Sequence, residues 1–83
     1  MQTYRIEFKK TVLKFLERQP PYIQKRILSA VRNLPQGTDI KKMAGYEHRF
    51  RLRLGDIRVI YDRFEDVLMI VVVKIGYRGD VYK

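Results

Sequence analysis

Apolar and polar residues alternate through TYRIEF, so Thr3 to Phe8 is predicted as a first strand. From Lys9 the period changes. Val12, Leu13, Phe15 and Leu16 suit one face of a short helix that ends near Gln19, because neither Pro20 nor Pro21 can continue a helix interior. Pro21 can open the next helix, and Ile23, Ile27, Leu28, Ala30, Val31 and Leu34 recur at helical spacing from there to about Asn33. Leu34 to His48 carries one proline, two glycines and no sustained period. It reads as a loop with an isolated turn around Ile40 to Met43.

The next stretch, RFRLRLGDIRVIYDRF (Arg49 to Phe64), reads as two strands joined at Gly55-Asp56 by a two-residue turn with glycine first. That register pairs Leu54 with Ile57, Arg53 with Arg58, Arg51 with Ile60 and Arg49 with Asp62. Alternation places Arg49, Arg51 and Arg53 on one face, with Phe50, Leu52 and Leu54 on the other. Arg49 has an ion-pair partner in Asp62. Arg53 and Arg58 face each other as like charges, which costs up to about 1 kcal/mol. A compensating group from outside the hairpin is expected, and an anion is the candidate.

Phe64-Glu65-Asp66 turns the chain into VLMIVVVKI (Val67 to Ile75), apolar at nearly every position and so predicted as a central strand covered on both faces. The order is strand, helical hairpin, then a three-stranded antiparallel meander. Residues 1–83 are therefore read as one α+β domain of two layers, with the helices on one face of the sheet and the arginines on the other, open face. The tail GYRGDVYK leaves the central strand near that open face, which brings Arg78 and Tyr82 towards Arg51, Arg53 and Arg58.

Charge narrows the partners. Eighteen Lys and Arg stand against nine Asp and Glu, a net +9 that calls for an acidic partner such as nucleic acid or an acidic protein. Cysteine is absent and there is one histidine, so no disulfide, structural zinc or other cofactor is expected. No apolar run is long enough to span a bilayer, and no helix joins a lysine-rich face to exposed large apolar residues. A soluble, cytoplasmic protein is expected. Guanidinium forks complement phosphate oxygens and a tyrosine ring stacks on an unpaired base, so the arginine cluster with Tyr82 matches a phosphodiester in RNA.

MAGYEHRFRLRLGDIRVIYDRFEDVLMIVVVKIGYRGDVY, together with the helical hairpin before it, resembles the RelE/ParE superfamily of bacterial and archaeal toxins. The likeness lies in the arginine hairpin, the hydrophobic strand and the terminal Gly-x-Arg and Asp-Val-Tyr, and it is nearest the RelE branch. It implies an mRNA interferase that enters the ribosomal A site, cuts the codon there and is held inactive by a cognate antitoxin. Arg51 and Arg53 fall at a basic pair of the hairpin, which is lysine in well-studied members. Arg58 matches the arginine on the scissile phosphate, Arg78 the terminal arginine, and Tyr82 the tyrosine that stacks on a base. Arginine, with a pKa above 12, is a poor base near neutrality. Tyr82, His48 and Glu47 are then the candidates for that role, or the ribosome aligns the attacking oxygen and no strong base is needed. The resemblance also admits a poison of DNA gyrase, as in the ParE branch, and a silent module that only binds RNA or antitoxin.

Overall fold

The structure, a computed structural model, describes residues 3–79. In chain order its elements are β1 (Arg5–Phe8), α1 (Lys10–Glu17), α2 (Pro21–Arg32), β2 (Ile40–Lys42), β3 (Arg49–Leu54), β4 (Ile57–Phe64) and β5 (Met69–Tyr77). The prolines act as expected: Pro20 caps α2 with extended backbone and Pro21 is its first helical residue. The Gln24 side chain donates to the Leu16 carbonyl over 2.7 Å and ties the two helices together at the bend.

The five strands form one sheet in the order β1-β5-β4-β3-β2, in which only the β1–β5 pair is parallel. Both helices lie on one face. Val12 and Leu16 from α1 and Ile27 and Val31 from α2 pack on Leu52, Ile57, Val59, Tyr61, Ile70 and Val72. The architecture is the α+β arrangement anticipated from the chain order. Among the described residues no helix covers the arginine face.

The hairpin register is the one read from the turn, from Leu54 opposite Ile57 to Arg49 opposite Asp62. Gly55 has φ +61°, while Asp56 does not take a positive φ, the pattern of a turn with glycine first. A second reason for glycine is space: a Cβ there would stand 3.1 Å from Nη2 of Arg26 on α2.

Three expectations are corrected. Residues 34–48 are not all loop, because Ile40–Lys42 adds an edge strand antiparallel to β3. Three residues are too few to show a period, and the signal is only that half-buried Ile40 reaches the core beside Leu52. The last strand starts at Met69 instead of Val67, since Leu68 takes φ 51° and still belongs to the turn. That strand is also not covered on both faces. Ile70 and Val72 are buried under the helices, whereas Met69, Val71 and Val73 on the other side are half-exposed. Its pairing with β4 carries a bulge: Ile60 opposes Lys74 and Tyr61 opposes Val72, leaving Val73 without a partner position.

Tyr61 is the largest fully buried side chain, stacked on Phe50 at 5.7 Å. Its hydroxyl has no hydrogen-bond partner among the described residues. Burial pushes the phenol from 10 up to about 12, with Arg63 opposing weakly. The folded chain thus keeps this proton after the unfolded chain has lost it, and the stability associated with it falls as pH rises from about 10 to about 12. Tyr61→Phe is expected to be neutral or to stabilise by up to about 1 kcal/mol in thermal melts at pH 7, because it removes an unpaired buried hydroxyl. In melts run from pH 10 to pH 12, its loss of stability should be shallower than that of the parent chain. At the far end of the hairpin, Asp62 accepts from Arg49 Nε at 2.7 Å and Nη2 at 3.0 Å and holds that guanidinium above its ordinary pKa. The pair is mostly buried, so Asp62→Asn should cost about 1 kcal/mol in denaturant melts.

Candidate nucleic-acid interface

Arg51 and Arg53 project from β3, Arg58 from β4, and Arg78 follows β5. All four line one open concavity of about 750 Å³, together with Gly55, Asp56 and Gly79. Four of the five site residues named from the sequence are therefore in one place. Tyr82 lies outside the described residues.

The four arginines are held in three ways, and in Arg78 only the backbone is fixed. Arg58 is only 6% exposed, and its Nη1 donates to the Gly55 carbonyl at 2.6 Å and to the Ile57 carbonyl at 3.2 Å. The tight turn thus supplies the acceptors that fold this arginine back on its own strand. The neighbours of Arg58 across the sheet are Arg53 on one side and Gly76 on the other, which has no side chain to crowd it. Arg78 is held through its backbone: its N–H donates to the Asp56 carbonyl at 2.7 Å, fastening the chain after β5 to the hairpin turn.

Arg51 and Arg53 share a carboxylate that sequence reasoning missed. Asp39 immediately precedes β2, and its carbonyl accepts the Arg53 backbone N–H at 2.9 Å. Its Oδ1 lies 3.3 Å from Arg51 Nη2 and its Oδ2 lies 3.1 Å from Arg53 Nε. The anion expected to relieve the facing arginines is supplied, for Arg51 and Arg53, by the protein itself. Nothing in GTDIKK marks Asp39 for this until β2 is paired with β3, which places residue 39 opposite residue 53. Arg51 Nε is buried and has no hydrogen-bond partner among the described residues.

The two other base candidates are elsewhere. His48 and Glu47 line a separate pocket of about 460 Å³ with Lys42, Phe50, Arg63 and Phe64. His48 is half-exposed, its ring 5.2 Å from that of Phe64 and its Nε2 3.5 Å from Glu47. It precedes Arg53 by five residues, about 16 Å at the rise of a strand. Neither side chain lines the arginine concavity. Among the described residues no group of three or more His, Asp or Glu is placed to hold a metal ion.

The concavity can bind an anion through preset guanidinium forks, stabilise charge that develops on it, and admit an extended chain because it is open. The chain is similar to known proteins. A family model for the ParE toxin of the parDE type II toxin–antitoxin system matches residues 6–82. A curated relative from Methanocaldococcus jannaschii, provisionally named toxin RelE1, is 31% identical, and the match covers 96% of each chain. The fold matches that of the archaeal RelE–RelB complex from Pyrococcus horikoshii OT3 with a TM-score of 0.78 and 32% identity, over 93% of this chain and 97% of that one. The RelB–RelE complex from Methanococcus jannaschii matches with a TM-score of 0.73 and 28% identity, over 93% and 95%. Fold, length and sequence agree: the chain belongs to the RelE/ParE superfamily of type II toxin–antitoxin toxins and is a RelE-like member of it.

Proposed function

We propose that this chain is an mRNA endonuclease that acts in the ribosomal A site. The observation that carries the reading is the convergence of Arg51, Arg53, Arg58 and Arg78 on one open concavity. The RNA's own 2′-oxygen attacks the adjacent phosphorus and the bond to the 5′-oxygen breaks. The products are a 2′,3′-cyclic phosphate and a 5′-hydroxyl. One proton leaves the 2′-oxygen and one reaches the 5′-oxygen.

The proposed roles combine this arrangement with the family likeness. Arg58, preset by the turn carbonyls, faces the scissile phosphate. Arg51 and Arg53 hold non-bridging oxygens on one side and Arg78 closes the other, so developing charge meets donors that need no reorganisation. Tyr82, matching the terminal tyrosine of the family, stacks on a base of the codon. With His48 and Glu47 away from the concavity, in-line alignment by the ribosome carries the step more than a dedicated base does. Cleavage without ribosomes is then weak. The proposed partner that silences the chain is an acidic antitoxin, by analogy with the RelB chains bound to the archaeal RelE proteins and in keeping with the +9 charge. The proposed compartment is the cytoplasm, where ribosomes are.

A second reading has one observation in its favour: the matching family model is that of ParE. In that reading the chain poisons DNA gyrase. The two separate in a reconstituted translation reaction with mapped RNA 5′ ends. In-frame cuts that require ribosomes are expected. An intact message alongside gyrase-dependent DNA cleavage overturns the proposal in favour of the second reading. Salt-sensitive RNA binding with neither activity would leave a binding module. Arg78→Ala should slow single-turnover cutting about 100-fold, as loss of one donor to the developing charge does. Arg58→Ala should abolish it, and retained cutting by a folded Arg58→Ala chain would sink the site assignment.

A further inference from the structure

Asp39 pairs at once with Arg51 and Arg53, the two arginines that β3 contributes to the concavity. One of its carboxylate oxygens meets Arg51 and the other meets Arg53, at 3.3 and 3.1 Å, as two non-bridging oxygens of a phosphodiester would. It is half-exposed (45%), so its charge faces the solvent from which RNA arrives. Arg53 is 53% exposed and Arg51 21%, so neither is locked by burial alone. Being two residues apart on one face of β3, the two guanidinium groups repel, and each long side chain has many rotamers open to it. The carboxylate settles both problems before substrate is present. Its own backbone is fixed by the bond from Arg53 N–H.

We propose that Asp39 is a positioning residue: it presets Arg51 and Arg53 as one fork and, by partly neutralising those two guanidinium groups, exchanges RNA affinity for rate. The inference rests on the reading of this concavity as a phosphate site and extends it from which groups bind to what sets their geometry. An incoming phosphate must share the two guanidinium forks with this carboxylate, which weakens ground-state binding. In return the forks need no rearrangement when charge develops in the transition state.

The test uses the full chain and two readouts. The first is binding of a short 2′-O-methylated RNA, which cannot be cut, across a salt series. The second is single-turnover cleavage at saturating programmed ribosomes. Removing one unit of charge at this distance should tighten binding about fivefold in Asp39→Asn and steepen the salt dependence. Loosening the fork should slow saturated cleavage about tenfold. Asp39→Glu, which keeps the charge, should return binding to the parent level and recover part of the rate. In a chain carrying Arg51→Gln and Arg53→Gln, Asp39→Asn should leave binding where it was, because the residue acts through those two.

A merely structural role predicts instead that Asp39→Asn weakens binding and cleavage together, and that result overturns the proposal. It is overturned equally if the binding gain persists without the two arginines, or if Asp39→Glu behaves as Asp39→Asn does. Should Asp39→Asn fail to fold by thermal melt, the comparison of Asp39→Glu with the parent decides: binding unlike the parent's overturns the proposal. If the parent chain binds the methylated RNA but cuts nothing on ribosomes, the cleavage reading fails, and the binding comparison still decides for or against the charge role of Asp39.

Discussion

Every arginine of the β3–β4 hairpin that faces the helix-free side has an acceptor inside the molecule, and the site depends on this. Arg49 has Asp62, Arg51 and Arg53 share Asp39, and Arg58 uses the carbonyls of its own turn. Without these contacts the cross-strand pair of Arg53 and Arg58 would push the strands apart where they must stay in register. With them the cationic surface is folded before any ligand arrives. The clustering of arginines is therefore no sign that the free chain awaits an anion for its stability. What it offers an anion is preorganisation, because the cost of gathering the charges has been met in folding.

The sheet separates two tasks by face. The helix side holds the closely packed apolar side chains, from Val12 and Ile27 to Tyr61 and Ile70, and supplies the cohesion. The other side carries the charges. Alternation along a strand makes the separation possible within β3 itself, where Leu52 is buried and Arg51 and Arg53 reach the concavity. The hairpin also has a different concavity at each end. The glycine turn gathers the arginine concavity, and the opposite end brings His48, Phe64 and Arg63 around a smaller pocket of mixed charge. That division is why a titratable imidazole in the same hairpin does not serve the arginine site.

Much of this was legible in the sequence where one strong local rule applied. Gly55-Asp56 determines the turn, the turn determines the register, and the register decides which arginines share a face. Pro20-Pro21 separates the helices in the same direct way. Legibility stopped where an outcome depended on pairing between distant segments. Ile40–Lys42 is a strand only because β3 offers it an edge, and Asp39 becomes the partner of Arg51 and Arg53 only through that pairing. The apolar run of β5 suggested burial on both faces, because a hydrophobic stretch does not show how many layers will cover it. Its half-exposed Met69, Val71 and Val73 follow from there being helices on one side alone.

The bulge in β5 is a small feature with a large geometric reach. A strand normally assigns odd and even residues to opposite sides for its whole length. Here the unpaired Val73 acts as a parity change. Before it, the even residues Ile70 and Val72 point into the core. After it the odd residues face the helices, Ile75 packed on the core and the exposed Tyr77 beside Phe15 with its hydroxyl donating to Gln19. By that count Arg78 emerges on the side of Arg58, where an unbroken alternation would have sent it towards α1. A single surplus residue in mid-strand thus decides which side of the sheet receives Arg78. The spacing between the apolar run and GYR is in that sense a form of addressing, one that counts residues and is indifferent to what most of them are.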